Sequence, residues 1–227
     1  MKTKFLPLIV AALFLATPIV QATGKPPVNT FSGRAFVVQA KVPGLLSTTI
    51  ADTGKLENNF PRGAGVLEEN YIDKNLDIVG LLSLSAQVLH AKTSGGGKVA
   101  KSAAEVANLL LEVAGLEVSA ELVTAMTRAQ CVYGKPKATG DSRVLSLSIN
   151  GQNIELNDED GPNQHTEITV PGVGIVTVVL DEQKRTVKGN KADITVNAVH
   201  IKVTNLLGLV TAEAILSSTH SDITCGK

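Results

Sequence analysis

Gly115-Leu116-Glu117-Val118-Ser119-Ala120-Glu121 leads to Cys131, and Gly208-Leu209-Val210-Thr211-Ala212-Glu213-Ala214 leads to Cys225. Each run opens on Gly-Leu, continues through small and apolar residues into a Ser/Thr-bearing segment, and ends in cysteine. The two Gly-to-Cys spacings differ by one residue. Gly80-Leu81-Leu82-Ser83-Leu84-Ser85-Ala86 and Gly44-Leu45-Leu46-Ser47 are weaker copies. This repeat decides the fold because the stretch Val99 to Gln130 is otherwise divided. Its Ala, Glu and Leu favour helix, and Ala103, Val106, Leu110 and Ala114 fall near helical spacing. Yet Leu116, Val118, Ala120 and Leu122 alternate with Glu117, Ser119 and Glu121, the two-residue period of a strand. The second copy ends Ser217-Ser218-Thr219-His220-Ser221-Asp222-Ile223-Thr224, residues that fit a helix interior poorly. If the copies share one structure, it is strand.

The flanks point the same way. Gly33 to Val42 reads as a first strand, closed by Pro43-Gly44. Leu82, Leu84, Ala86 and Val88 alternate with Ser83, Ser85 and Gln87. Leu145, Leu147 and Ile149 alternate with serines and meet Asn150-Gly151, a strong hairpin signal. Val173 to Leu180 follows Pro171-Gly172 and is apolar on both alternating sets, which predicts burial on both faces. Ile194 to Val203 is a further strand after the turn Lys188-Gly189-Asn190-Lys191. Residues 52–75 read as loops and short strands. The expected class is all-β, an antiparallel sandwich or a barrel-like domain. The alternative is α+β with a helix in 100–128.

Residues 1–22 have the order of a secretory signal: Lys2 and Lys4, an apolar run from Phe5 to Val20, then Val20-Gln21-Ala22 before the cut. The run carries Pro7 and Pro18 and is shorter than the ~20 apolar residues a spanning helix needs. The expectation is cleavage near Ala22, with secretion or periplasmic/extracellular residence. Residues 23–32 read as linker. Residues 33–227 read as a single β-rich domain, with two packed sub-parts (33–140 and 141–227) left open. No later segment reaches spanning length, so no transmembrane segment is expected in the mature chain. The chain has 21 basic and 21 acidic residues. Loss of Lys2 and Lys4 leaves it slightly acidic, with no electrostatic argument for nucleic acid. Its two cysteines, Cys131 and Cys225, read as a disulfide in an exported protein. The alternatives are free thiols or part of a metal site, and no further ligands stand at metal spacing.

Leu147-Ser148-Ile149-Asn150-Gly151, Gly161-Pro162-Asn163-Gln164, Pro171-Gly172-Val173-Gly174, Leu180-Asp181-Glu182-Gln183, Ile194-Thr195-Val196-Asn197-Ala198-Val199-His200 and a closing cysteine follow in order. Together they resemble the choice-of-anchor P proteins over roughly 80–227, most sharply over 144–203. The resemblance implies an exported, surface-associated protein with a β-rich body, and it implies no activity. Asp181 stands where the family usually has Asn. The sequence ends two residues after Cys225 with no sorting motif or apolar tail, which favours an expectation of soluble export.

No catalytic residues, cofactor or metal site are expected. His90, His165, His200 and His220 lack metal-ligand spacing such as H-x-x-x-H and read as structural or surface histidines. No G-x-S-x-G elbow occurs. Asn157-Asp158-Glu159-Asp160-Gly161 is an acidic cluster without the spacing of an EF-hand loop, and reads as a solvated hairpin end. Asp181-Glu182-Gln183 reads as a turn whose side chains hold backbone groups, with a polar site as the alternative. Gly95-Gly96-Gly97-Lys98 lacks the frame of a phosphate loop. The functional expectation is a non-enzymatic surface or secreted structural/interaction protein, partnered by an envelope component or by itself. A carbohydrate or envelope binding module would need a concave face lined by Tyr71 or Tyr133. An exported hydrolase would need His90, His200 or His220 gathered with carboxylates in one cleft.

Overall fold

The computed structural model describes residues 28–57, 64–78, 80–155, 157 and 160–226. The expected signal at 1–22 lies outside these residues. The described chain forms fourteen strands: β1 (Thr30–Val42), β2 (Leu46–Asp52), β3 (Leu56–Glu57), β4 (Ala64–Ile78), β5 (Leu82–Gly96), β6 (Val99–Val113), β7 (Leu116–Val132), β8 (Lys135–Leu145), β9 (Leu147–Ile149), β10 (Gln152–Ile154), β11 (Gln164–Val170), β12 (Gly174–Lys188), β13 (Lys191–Thr204) and β14 (Val210–Thr224). They build two antiparallel sheets that do not close into a barrel. The terminal sheet runs β11-β12-β13-β14-β1-β2, with β3 also on β1; the middle sheet runs β10-β9-β7-β6-β5-β4, with β8 also on β7. The sandwich is therefore the form taken, and the alternative helix in 100–128 is overturned. Those residues are β6 and most of β7, paired from Val99↔Gln130 to Val113↔Leu116.

The Gly-Leu copies explain why strand prevails. Gly44, Gly80, Gly115 and Gly208 all lie between consecutive strands, with φ between 73° and 78°. In the turn Ala114-Gly115, both residues have positive φ, the conformation of a two-residue hairpin, where glycine carries no Cβ penalty. A helix through this point would need helical φ at both. Asn150-Gly151 makes the same turn between β9 and β10, with φ of 47° and 77°.

Four expectations need correction. β1 starts at Thr30, inside the stretch read as linker. Residues 64–78 form the 15-residue edge strand β4 rather than loops and short strands. In β12, Val176, Val178 and Leu180 are buried but Ile175 is exposed, so the strand is covered on one face only. Finally, β1, β2 and β3 pair into the sheet built by the C-terminal strands, so the layers do not divide at 140/141.

A break in the ladder crosses each sheet from strand to strand. In the terminal sheet, Ala51, Val37, Ser217, Ala198 and Asp181 are skipped by the pairing on successive strands. Ala51, Ser217 and Asp181 have φ near +50°. In the middle sheet, Asp73, Asn108 and Ser146 do the same. Each break inverts which side chains face inward, as a β-bulge does. On β14, Ile223, Ser221, Thr219 and Ser217 face in on one side of the break, and Leu216, Ala214 and Ala212 on the other.

Strands β1, β13 and β14 pack on β5–β8. Leu89, Leu111, Ile194, Ile201, Leu216 and Ile223 are among the largest buried side chains. A hydroxyl cluster is set among them. Thr93 and Ser102 are 2.9 Å apart, Ser102 donates to the His220 carbonyl at 2.7 Å, and Thr127 meets Ser221 at 2.9 Å. Buried hydroxyls need such partners, because an unmade hydrogen bond costs more than a made one contributes.

Candidate functional site at the β12 break

Asp181 is the skipped residue of β12, with φ of 49°. Its break turns Asp181 and Gln183 inward and Glu182 outward. On the inner side, Gln183 donates to both Asp181 oxygens at 3.1 and 3.0 Å, and Ser142 of β8 donates to Asp181 Oδ1 at 2.7 Å. The loop before β11 closes onto the same point. The Asn163 amide donates to the Asp181 carbonyl at 2.8 Å, and the Gln183 amide donates to Asn163 Oδ1 at 2.9 Å. Gln164 Nε2 donates to the Gly161 carbonyl at 2.8 Å. The result is a polar cleft of about 470 Å³ where the edges of the two sheets meet, lined by Asp141, Ser142, Arg143, Gln164, Asp181 and Gln183 among others. Gly140 permits the approach: a Cβ there would lie 2.4 Å from Val196 Cγ2 and 2.9 Å from Ile194 Cδ1.

On the outer face, Asn197 donates to Glu182 Oε2 at 2.6 Å and accepts from Ser218 at 2.6 Å. His200 is clamped between Glu182 Oε2 at 3.0 Å and Glu213 Oε1 at 2.8 Å. Lys184 pairs with Glu182 at 3.0 Å and Lys41 with Glu213 at 3.6 Å. Partial burial pushes both glutamates up. For Glu182, the bonds from Asn197 and Lys184 and the charge of His200 outweigh it; for Glu213, the His200 bond and the charges of Lys41, His200 and Lys202 do so. Both carboxyls end below the ordinary range.

Three of the six family-like fragments thus meet in space: Gly161–Gln164, Asp181–Gln183, and Asn197 with His200. Both readings of Asp181-Glu182-Gln183 describe part of what forms. Asp181 and Gln183 hold a loop and a sheet edge, and they also line a cleft. The histidines do not gather in one cleft. His90 pairs with Glu68 at 2.9 Å on the middle sheet; His165 is exposed on β11; His200 and His220 lie apart on the outer face of the terminal sheet, on rows His200↔Ile215 and Thr195↔His220. Tyr71 lies on edge strand β4, bonded to Glu69, and Tyr133 lies in the β7–β8 turn, so neither lines the polar cleft. Gly97 and Lys98 form the β5–β6 turn. Of the acidic cluster, Asp158 and Glu159 lie outside the described residues; Asn157 donates to Asp160 at 2.8 Å. Cys131 and Cys225 form a disulfide, with Cα atoms 5.7 Å apart. It joins the end of β7 to the end of β14, hence one sheet to the other. No described helix is long and apolar enough to cross a membrane.

One constellation escaped the sequence reading. Asp193, His220 and Asp222 stand together, with one donor atom from each lying within 4.8 Å of the others. H-x-x-x-H is a helical spacing. On a strand, the pair His220-Ser221-Asp222 already shares a face, and that was the available signal. Asp193 comes from β13, and nothing in the local sequence announces it.

No family model and no curated protein matches the chain. Among solved structures, Ail, the attachment invasion locus protein of Yersinia pestis, aligns over 89% of this chain and 100% of that one, at 8% identity and a TM-score of 0.16. An alignment that poor carries neither fold nor function across.

Proposed function

We propose that this is an exported, non-enzymatic interaction protein of the choice-of-anchor P type. The observation that supports it is that three of the family-like fragments, Gly161–Gln164, Asp181–Gln183 and Asn197–His200, meet at the β12 break and are hydrogen-bonded there on the two faces of the strand. Residues shared with a family for a structural and binding purpose should meet in this way. The disulfide adds support for an oxidising compartment outside the cytoplasm. The polar cleft is the binding place in this reading, and its lining suits a hydrophilic envelope component.

The test has two arms. The full chain, expressed in its own host, should be exported and begin near Thr23, and intact Met1 on cytoplasmic material would overturn the export reading. The purified mature chain should co-sediment with isolated envelopes or self-associate in light scattering. Arg143→Ala should weaken that association while leaving the thermal melt unchanged. Absence of both behaviours overturns the interaction reading.

A second reading, a carbohydrate-binding module, is favoured by the same hydrophilic lining and weakened by the position of Tyr71 and Tyr133 away from it. Co-sedimentation abolished by soluble envelope polysaccharide would select it.

A further inference from the structure

Two adjacent strands of the terminal sheet, β13 and β14, bring Asp193, His220 and Asp222 to its outer face, away from the β12 cleft. Asp193 and Asp222 are direct cross-strand partners. Two like charges in that relation repel unless a cation stands between them. His220 faces both, yet it does not close on either. Its Nε2 lies 3.4 Å from Asp193 Oδ1 and 4.0 Å from Asp222 Oδ2. The other paired histidines behave differently: His200 and His90 reach their glutamates at 2.8–3.0 Å, the ordinary reach of such hydrogen bonds. Ligand atoms bound at 2.0–2.2 Å around a tetrahedral ion are separated by about 3.3–3.5 Å. The His220–Asp193 spacing, also that of a loose ion pair when His220 is protonated, matches ligands sharing an ion, and Asp222 at 4.0 Å needs a small side-chain shift to join them.

From this we infer that Asp193 Oδ1, His220 Nε2 and Asp222 Oδ2 form an open three-ligand site for a first-row divalent transition ion such as Zn²⁺, with water completing the coordination. The supporting groups fit. Lys191 lies 3.4 Å from Asp193 Oδ2, leaving Oδ1 for the ion. Ser32, itself buried, donates to Asp222 Oδ2 at 2.6 Å and fixes its rotamer. Behind the strand, Ser102 holds the His220 carbonyl from the opposite sheet. The ligands therefore sit on strands anchored from two sides, which is the preorganisation a metal site needs. One nitrogen and two carboxylates are too few oxygens for Ca²⁺, which takes six to eight.

Titration of the tag-free mature chain with ZnCl₂ by calorimetry should show one saturable site. Asp193→Asn and His220→Gln should each weaken it at least about tenfold, in line with the loss of one ligand, while His90→Gln leaves it unchanged. Melting curves of the metal-free variants keep loss of fold separate from loss of a ligand. The histidine ring signals in NMR should show broadening or shift at His220 and not at His165 or His200. Absence of a saturable site, affinity unmoved by both substitutions, or CaCl₂ bound as tightly as ZnCl₂ would each overturn the assignment.

Discussion

Glu182 and Glu213 hold His200 from both sides, and the folded chain keeps both carboxyls below 4.5, the ordinary value. The unfolded chain therefore takes up more protons as the pH drops through that region. The stability these groups contribute is complete above 4.5 and is lost as the pH falls through their folded values. Denaturant unfolding between about pH 5 and about pH 3 should show a declining midpoint, and Glu182→Gln should flatten that decline. Asn197 is nearly buried and bridges Glu182 and Ser218. Asn197→Ala leaves both without it and should cost about 1–3 kcal/mol in the same assay. Gly140→Ala would drive a methyl into Val196 and Ile194, with an expected loss of about 1–3 kcal/mol from overpacking. A neutral Gly140→Ala would mean that β8 can withdraw and that the cleft is not tightly set.

At the scale of elements, the hairpin signals carried most of the fold. Asn150-Gly151 and the Gly-Leu copies could be read because a two-residue turn demands positive φ, and few residues supply it. β4 could not be read that way. Its Glu68, Glu69, Asp73, Lys74 and Asp77 are the charges of an edge strand, which discourage pairing with other chains and look like loop composition. The breaks were equally hidden, since Ala51, Ser217 and Asp181 adopt positive φ through cross-strand context and not through residue type. Ser217 shows what holds such a position: it is fully buried, and its hydroxyl donates to the Val123 carbonyl of the other sheet at 2.8 Å. Ser217→Ala should cost about 1 kcal/mol through that bond. Ser217→Val should cost more, because a β-branched residue is strained at φ of 50°. Equal costs would mean that the break relaxes when its side chain changes.

For the whole molecule, the decisive feature is that the chain leaves the terminal sheet after β3, builds the middle sheet, and returns. β1 pairs with β14 from Thr30↔Thr224 to Lys41↔Glu213, so the first layer is complete only when the last described strand arrives. Such non-local pairing carries a large chain-entropy cost. The disulfide acts on this cost. It spans 94 residues and joins the layers where each cysteine is already anchored: the Cys131 amide donates to the Lys98 carbonyl at 2.9 Å, and the Cys225 amide to the Asn190 carbonyl at 2.8 Å. The chain-entropy account gives about 4–5 kcal/mol for a loop of this length. In a domain of this size that corresponds to a melting temperature lower by roughly 10–15 °C in the Cys131→Ser/Cys225→Ser variant or on reduction. The sandwich should persist with a shallower stability margin, because the buried residues belong to strands paired without the bridge. Calorimetry of oxidised and reduced protein measures the difference directly. A shift of only a degree or two would mean that the unfolded chain already keeps β7 and β14 close together, and that the sheet pairing alone closes the layers.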